Sequence, residues 1–182
     1  TQIADLIASR RVFPCFFGAA LPLDGVQEFL DGLSRFARIP DYSDDFAARV
    51  FKITRDEQGA RLTHLKITGG SLTVRSAISG ETRGESWQEK VSQIRVYSGT
   101  RFQTTDRADA GTVCAVTGLT QTYPGQALGA DPGGEAAVLE PVLTYRVLPP
   151  DSCDSHTLLQ KLRLIEEEDP LLRVLWSEAL EE

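Results

Sequence analysis

Apolar positions change their period three times along the chain. Residues 12–17, VFPCFF, form a near-continuous apolar run of the kind carried by a strand covered on both faces of a parallel sheet. Gly18, Ala19 and Ala20 then place small residues at its carboxyl end, where open α/β sheets bind ligands and a backbone N–H can approach a flat ring. Val26, Phe29, Leu30, Leu33 and Phe36 recur at helical spacing, and Asp24 with Gln27 three positions on predicts a capping box. This segment predicts one amphipathic helix packed back on one strand, a unit any α/β protein could contain.

From residue 46 the pattern shortens to runs rich in Val, Ile, Thr and Phe. Strands are predicted over 46–54, 61–67, 72–78, 88–97 and 112–117, with turns at Glu57-Gln58-Gly59, Gly69-Gly70, Ser79-Gly80, Ser98-Gly99 and Ala110-Gly111. Alternation is clearest where Thr63, Leu65 and Ile67 oppose Leu62, His64 and Lys66. Strands at this spacing predict a closed or partly closed antiparallel barrel. Residues 40–45 and 130–136 carry Pro, Gly and charge and are read as connections on either side of it.

A third pattern follows. Residues 141–148 alternate like a strand, and Pro149, Pro150 and Asp151 break it. Asp154 or Ser155 can cap a helix presenting Leu158, Leu159, Leu162 and Ile165 on one face, and Pro170 stops it. Glu166 to Asp169 crowd acid at the helix carboxyl end, where the dipole disfavours it; this predicts a solvated end or a polar patch meeting a partner or neighbouring domain. Residues 171–175 restart an apolar run. A strand-helix-strand with one strand left over predicts half of a split βαβ domain.

Composition narrows the class. The 182 residues are 41% hydrophobic, enough for a core, and no apolar run approaches the roughly 18–20 residues of a membrane span, so a soluble chain is expected. Cys15, Cys114 and Cys153 lack CxxC spacing and His64 and His156 lack partner motifs, so neither a disulfide framework nor a metal site is expected. The chain begins at Thr1 and contains no Met, which predicts a segment of a longer polypeptide. A formal net charge of −7 argues against bulk attraction to nucleic acid, DNA included, but the charge is uneven. Residues 46–107 hold 11 basic and 6 acidic side chains, net +5, flanked by segments of net −3 and −9. A basic middle of this kind suits either phosphate contact or a solvated sheet face.

The order of the segments carries a resemblance. GAAL at 18–21, FKI at 51–53, HLKITGG at 64–70, AGTVCAVTGLTQTYPGQAL at 110–128 and LLQKLRLIEEEDPLLRV at 158–174 together resemble the translational GTPases of the elongation factor G type. Within them the tetracycline-resistance ribosomal protection proteins are most similar in the wording Asp169-Pro170-Leu171-Leu172-Arg173. The match covers nearly the whole chain. It implies a mainly β chain with α+β flanks: a carboxyl-terminal remnant of the GTP-binding domain at 1–40, the translation-factor β-barrel (domain II) at 44–135, and the first half, β-α-β, of ferredoxin-like domain III at 138–182.

The resemblance also implies roles. In the family, Ser-Ala followed by Leu, Lys or Phe offers a backbone amide to the guanine carbonyl; those places are Ala19, Ala20 and Leu21, and the replacement of Ser by Ala19 removes a hydroxyl. The family's Glu-Pro before the domain III helix is Leu148-Pro149. Small-subunit ribosomal RNA contacts of the barrel would fall on Arg75, Arg83 and Lys90, in and near a loop at 80–89. No GxxxxGK[ST] loop, acidic magnesium motif or Asn-Lys-x-Asp is present, so this segment is expected to hold no cofactor and to be catalytically silent, with GTP and Mg bound elsewhere in the parent. The implied activity is displacement of tetracycline from ribosomes in the cytoplasm, with the parent's remaining domains and the ribosome as partners and no role for a membrane. Translocation by an elongation factor G paralogue and recycling by a class II release-factor GTPase are the alternatives within the class. A free-standing barrel that binds protein or carbohydrate is the alternative outside it.

Overall fold

A computed structural model describes residues 2–38, 40–82, 84–134, 141–148, 150 and 153–176. The chain divides into two compact units, residues 1–41 and 42–182.

The first unit holds helix α1 (Gln2–Ala8) and helix α2 (Val26–Phe36), joined by a segment without regular secondary structure over residues 12–18. Residues 12–17 are expected as a buried strand, but they form no strand, and among the described residues none pairs with them. A parallel strand exists through its neighbours' N–H and C=O groups, and the described partners in this unit are helices. Phe13 and Phe17 are accordingly exposed. Phe16 still packs as expected: its ring meets Phe29 edge-on at 5.7 Å and lies over Gly32, where a Cβ would sit 2.1 Å from the ring. The capping box does not form. Gly25, at φ +71°, is the N-cap, and the Gln27 amide donates to Asp31 Oδ1 at 2.9 Å instead. The chain crosses Phe17 so closely that a Cβ at Gly25 would lie 2.3 Å from the Phe17 carbonyl oxygen, which leaves the capping position to glycine.

The second unit is built on ten strands. They are β1 (Ala47–Arg55), β2 (Arg61–Gly69), β3 (Ser71–Thr73), β4 (Ala77–Thr82), β5 (Glu85–Lys90), β6 (Gln93–Ser98), β7 (Arg101–Thr105), β8 (Arg107–Asp109), β9 (Val113–Thr117) and β10 (Ala127–Gly129). All described pairings are antiparallel: a six-stranded sheet ordered β10-β1-β2-β9-β6-β7 and two ribbons, β3-β8 and β4-β5. The ladder does not close on itself among the described residues. The β4-β5 ribbon instead meets the β10 end through Gln126, whose amide donates to the Glu81 carbonyl at 3.0 Å. Val50, Ile53, Leu65, Ile67, Leu72, Val91, Ile94, Val116, Leu119 and Leu128 fill the interior, each less than 2% exposed. Thr63, Leu65 and Ile67 point inward as the alternation predicts, and Leu62 is buried as well.

Three strand expectations need correction. The 72–78 run is two strands, because Arg75 adopts φ +70° and turns the chain between β3 and β4. The 88–97 run breaks after Lys90. Ser79-Gly80 is not a turn but lies inside β4, where Gly80 makes room for Trp87: a Cβ there would be 2.4 Å from the indole. The segment read as a loop at 80–89 is therefore most of a hairpin, closed by the pairing of Thr82 with Glu85.

Residues 130–134 are tied down rather than free. Arg49 Nε donates to Asp131 Oδ1 at 3.1 Å, Thr68 Oγ1 donates to Oδ2 at 2.7 Å, and the Gly133 N–H donates to Oδ1 at 2.9 Å. Burial pushes the Asp131 carboxyl upward, but the bonds from Arg49, Thr68 and Gly133 outweigh it and hold it below the usual carboxylate value. A depressed folded pKa stabilises the fold above the unfolded value of about 3.9 and loses that contribution as pH falls through the folded one. Asp131→Asn is thus expected to cost about 1–3 kcal/mol at pH 7, with the gap narrowing below about pH 4. Urea unfolding of both proteins at pH 7 and pH 3 measures it; a gap that does not change with pH refutes the assignment.

Beyond the sheet, helix α3 (Ser155–Glu168) is capped by Asp154, whose side chain accepts from the Thr157 N–H at 2.9 Å. Residues 141–148 and 173–176 form no strand among the described residues, and Pro170–Leu172 is a 3-10 turn, so only the helix of the expected strand-helix-strand is present there. Helix α3 turns its acid toward β1 and β2: Glu167 accepts from Arg55 at 2.8 Å and from Arg61 at 3.3 Å. Glu166 accepts from Arg163 at 2.6 Å and from the Val174 N–H at 2.7 Å. These partners account for carboxylates that the helix dipole opposes.

Candidate functional site

Two groups of residues singled out in the sequence lie in different units. In the first unit, Ala19, Ala20 and Leu21 form a tight loop between residues 12–18 and α2. The Ala19 N–H donates to the Asp24 carbonyl at 2.9 Å, and the Leu23 N–H donates to the Ala20 carbonyl at 3.3 Å. A Cβ at Gly18 would lie 2.6 Å from the Asp24 oxygen, so the loop closes only because Gly18 lacks one. Leu23 completes the bend at φ +65°. This closure consumes the Ala19 amide and leaves the Ala20 N–H without a hydrogen-bond partner among the described residues, beside a Leu21 side chain that is 97% exposed.

In the second unit, backbone bonds bring Arg75 and Lys90 to one end of the β4-β5 ribbon. The Arg75 N–H donates to the Val91 carbonyl at 2.8 Å, and the Val91 N–H donates to the Ser76 carbonyl at 3.1 Å. Lys90, next to Val91, pairs with Ala77 across the ribbon. Both side chains are exposed, and neither has a hydrogen bond or ion pair among the described residues. Arg83 lies outside the described residues. The neighbouring carboxylate does not neutralise the two cations, because Glu89 is engaged elsewhere: Oε2 accepts from the Thr120 N–H at 2.6 Å and the Gln121 N–H at 3.2 Å. Two unpaired cations on a turn held by backbone bonds suit contact with phosphate oxygens.

Other candidate chemistry is accounted for. Burial pushes the Cys114 thiol up to about 11, so it is an inert core group; Cys15 is exposed and Cys153 half-buried, and no disulfide joins them. Among the described residues no cluster of His, Cys, Asp and Glu could hold a metal ion, and no helix is long and apolar enough to cross a membrane. Sequence reading missed Arg61 as more than the start of a strand. Its guanidinium donates to Thr63 Oγ1, Thr122 Oγ1 and the Leu119 and Thr122 carbonyls, at 2.5–3.1 Å, as well as to Glu167. No local pattern signals such an anchor, since apart from Thr63 its acceptors lie 58 to 106 residues away.

Comparison with known proteins follows the same division. The family described as Elongation factor G domain 2 matches residues 45–129, which is the ten-stranded region. Elongation factor G of Ureaplasma urealyticum is 26% identical over 94% of this chain and 28% of its own length. The tetracycline resistance protein TetP of Clostridium perfringens is 28% identical over 88% of this chain and 25% of its own. Elongation factor G of Dehalococcoides mccartyi is 26% identical over 97% and 29%. The chain thus spans less than a third of the length of these relatives. Residues 45–129 thus match the elongation factor G domain 2 family, within a chain similar over most of its length to elongation factor G and TetP.

Proposed function

We propose that this chain is the ribosome-binding portion of a cytoplasmic translational GTPase, and that the whole protein frees ribosomes of tetracycline by GTP-dependent displacement of the drug. The barrel is the ribosome-facing part: Arg75, Lys90 and Arg83 neutralise phosphates of small-subunit RNA. The observation that carries the reading is the family match over residues 45–129, with two exposed and unpaired cations on one turn of the matched region. TetP is the relative that favours drug displacement over translocation.

The first unit contributes an edge of the nucleotide site and not the site itself. In this reading the free Ala20 N–H donates to the guanine carbonyl, and the Ala19 bond to Asp24 fixes the loop in which it sits. Phosphate and magnesium ligands belong to parts of the protein outside this segment, so the segment alone neither hydrolyses GTP nor binds it tightly. The proposed domain limits are 1–40, 44–135 and 138–182.

The test is co-sedimentation with small ribosomal subunits over a salt series, with the full-length protein run beside this chain and radiolabelled tetracycline on the ribosomes. Binding should weaken steeply with salt. Arg75→Ala with Lys90→Ala should flatten the slope by about one per lost phosphate contact. The full-length protein with GTP should release the drug. Salt-insensitive binding, or no binding even by the full-length protein, overturns the ribosomal role; binding without drug release points to translocation or recycling instead.

A further inference from the structure

The outer face of the six-stranded sheet carries a feature the hairpin cations do not use. Cross-strand register puts Lys52, His64, Ala115, Arg95 and Thr104 in one row, since Lys52 pairs with His64, His64 with Ala115, Ala115 with Arg95, and Arg95 with Thr104. Alternate positions add Lys66 and Val113, which pair with each other, and Tyr97 and Phe102, which do likewise. Phe51 joins them from the irregularity between Val50 and Lys52.

These side chains make a line of rings. Phe51 and His64 are 6.1 Å apart between centroids, His64 and Tyr97 6.1 Å, and Tyr97 and Phe102 5.4 Å. The Arg95 guanidinium lies 4.6 Å over the Phe102 ring and is held there by Asp56 at 3.0 Å. His64 Nε2 and Thr54 Oγ1 share a hydrogen bond of 2.7 Å that fixes the imidazole. Ala115, fully buried beneath them, keeps the centre of the face flat. Phe51 is 50% exposed, Phe102 44% and Tyr97 38%, so three large rings stand in water.

We propose that this face is a stacking platform for unpaired bases of single-stranded RNA. The inference rests on the reading that the barrel meets ribosomal RNA, and adds a second contact of a different kind. Charge decides between occupants. Lys52 and Lys66 are exposed on the face and unpaired among the described residues, whereas Asp56 and Asp131 are engaged by Arg95 and Arg49. Protein interface cores are depleted of lysine, while single-strand sites combine cations that follow the backbone with aromatic rings that take the bases. Burial, then Lys52, lowers the His64 pKa, so its ring is a neutral stacking surface at pH 7.

The test uses this chain with a fluorescent twelve-nucleotide oligoadenylate, single-stranded or annealed to its complement, at about 50 mM salt, read by anisotropy. The single strand should bind, and the duplex at least roughly tenfold more weakly. Tyr97→Ala and Phe102→Ala should each weaken single-strand binding about tenfold, the loss of one stacked base. Tyr97→Phe should stay within about twofold, because it keeps the ring. Phe102→Leu retains the apolar cover, guards against an unfolded variant, and should bind as weakly as Phe102→Ala. No single-strand binding, a preference for duplex, equal affinity in the ring-deleted variants, or Tyr97-dependent self-association in sedimentation overturns the proposal. Ribosome binding lost through Arg75 and Lys90 while the ring variants change nothing sinks the platform alone. Oligonucleotide binding that needs the rings, without ribosome binding by the full-length protein, upholds the platform and removes the ribosomal reading.

Discussion

Arg61→Met lowers the stability of the 42–182 unit by roughly 3 kcal/mol, because buried acceptors left without donors cost about 1–3 kcal/mol each. The Arg61 side chain is only 12% exposed. Its guanidinium is the shared donor for Thr63 Oγ1, Thr122 Oγ1 and two main-chain carbonyls, of Leu119 and Thr122, and so ties β2 to the chain between β9 and β10. Thr63 and Thr122 also bond each other at 2.8 Å, and both are buried, so water cannot replace the missing donor without opening the end of the sheet. Burial lowers the Arg61 pKa, yet Glu167 opposes that shift and the group stays charged. The exposed half of the arrangement matters less. Glu167→Gln removes a pair open to solvent on the acid side and should cost less than about 1 kcal/mol. Thermal unfolding separates the two: about 2–4 °C per kcal/mol for a unit of this size gives an Arg61→Met shift several times that of Glu167→Gln. Arg61→Lys should recover less than half, since an ammonium cannot reach four acceptors in a fork. Equal, small shifts for both positions would show that the anchor carries no stability.

How much of this was legible follows from how local each cause is. Gly59, Gly70, Gly99 and Gly111, all at positive φ, mark turns where the sequence places them, because a left-handed residue is a local requirement. The inward Thr63-Leu65-Ile67 face is equally local. Arg75 breaks a strand at positive φ with no glycine to announce it, and Gly80, which looks like a turn, is a strand residue shaped by Trp87 seven positions away. Strand β7 is exposed along most of its length and so lacks an apolar face to read. The segment 12–17 has the apolar content of a buried strand, but content does not supply a neighbour to pair with. At the candidate site, Arg75 and Lys90 could be named as cations; that they meet depends on the Arg75–Val91 bond, set by the fold of the ribbon. The ring platform was invisible for the same reason, as Phe51, His64, Tyr97 and Phe102 come from four strands.

Gly118→Ala is the substitution expected to damage both stability and the proposed RNA contact. Gly118 follows β9 at φ +98°, and a Cβ there would sit 2.4 Å from the Lys90 carbonyl oxygen, 2.6 Å from Ser92 Oγ and 2.9 Å from the Ser92 nitrogen. Two of those three atoms are backbone and cannot rotate away. They belong to the link between β5 and β6, where the Ser92 N–H donates to the Thr117 carbonyl at 2.8 Å and the Val91 carbonyl accepts from Arg75. Making room therefore pushes Lys90 and loosens the bonds that seat Arg75. The left-handed backbone costs about 1–2 kcal/mol for a residue with a Cβ, and a disrupted buried hydrogen bond adds about 1–3, so about 3 kcal/mol or more is expected. Gly125 supplies the control: it has φ +92° but nothing within 4 Å of its Cβ position. Gly125→Ala should show the conformational cost alone, near 1 kcal/mol. Denaturant midpoints for the two variants test the difference, and ribosome binding under conditions where both remain folded should fall for Gly118→Ala only. Equal losses for the two would mean that the β5–β6 link yields freely, and then the turn is too soft to fix Arg75 and Lys90 against a phosphate backbone.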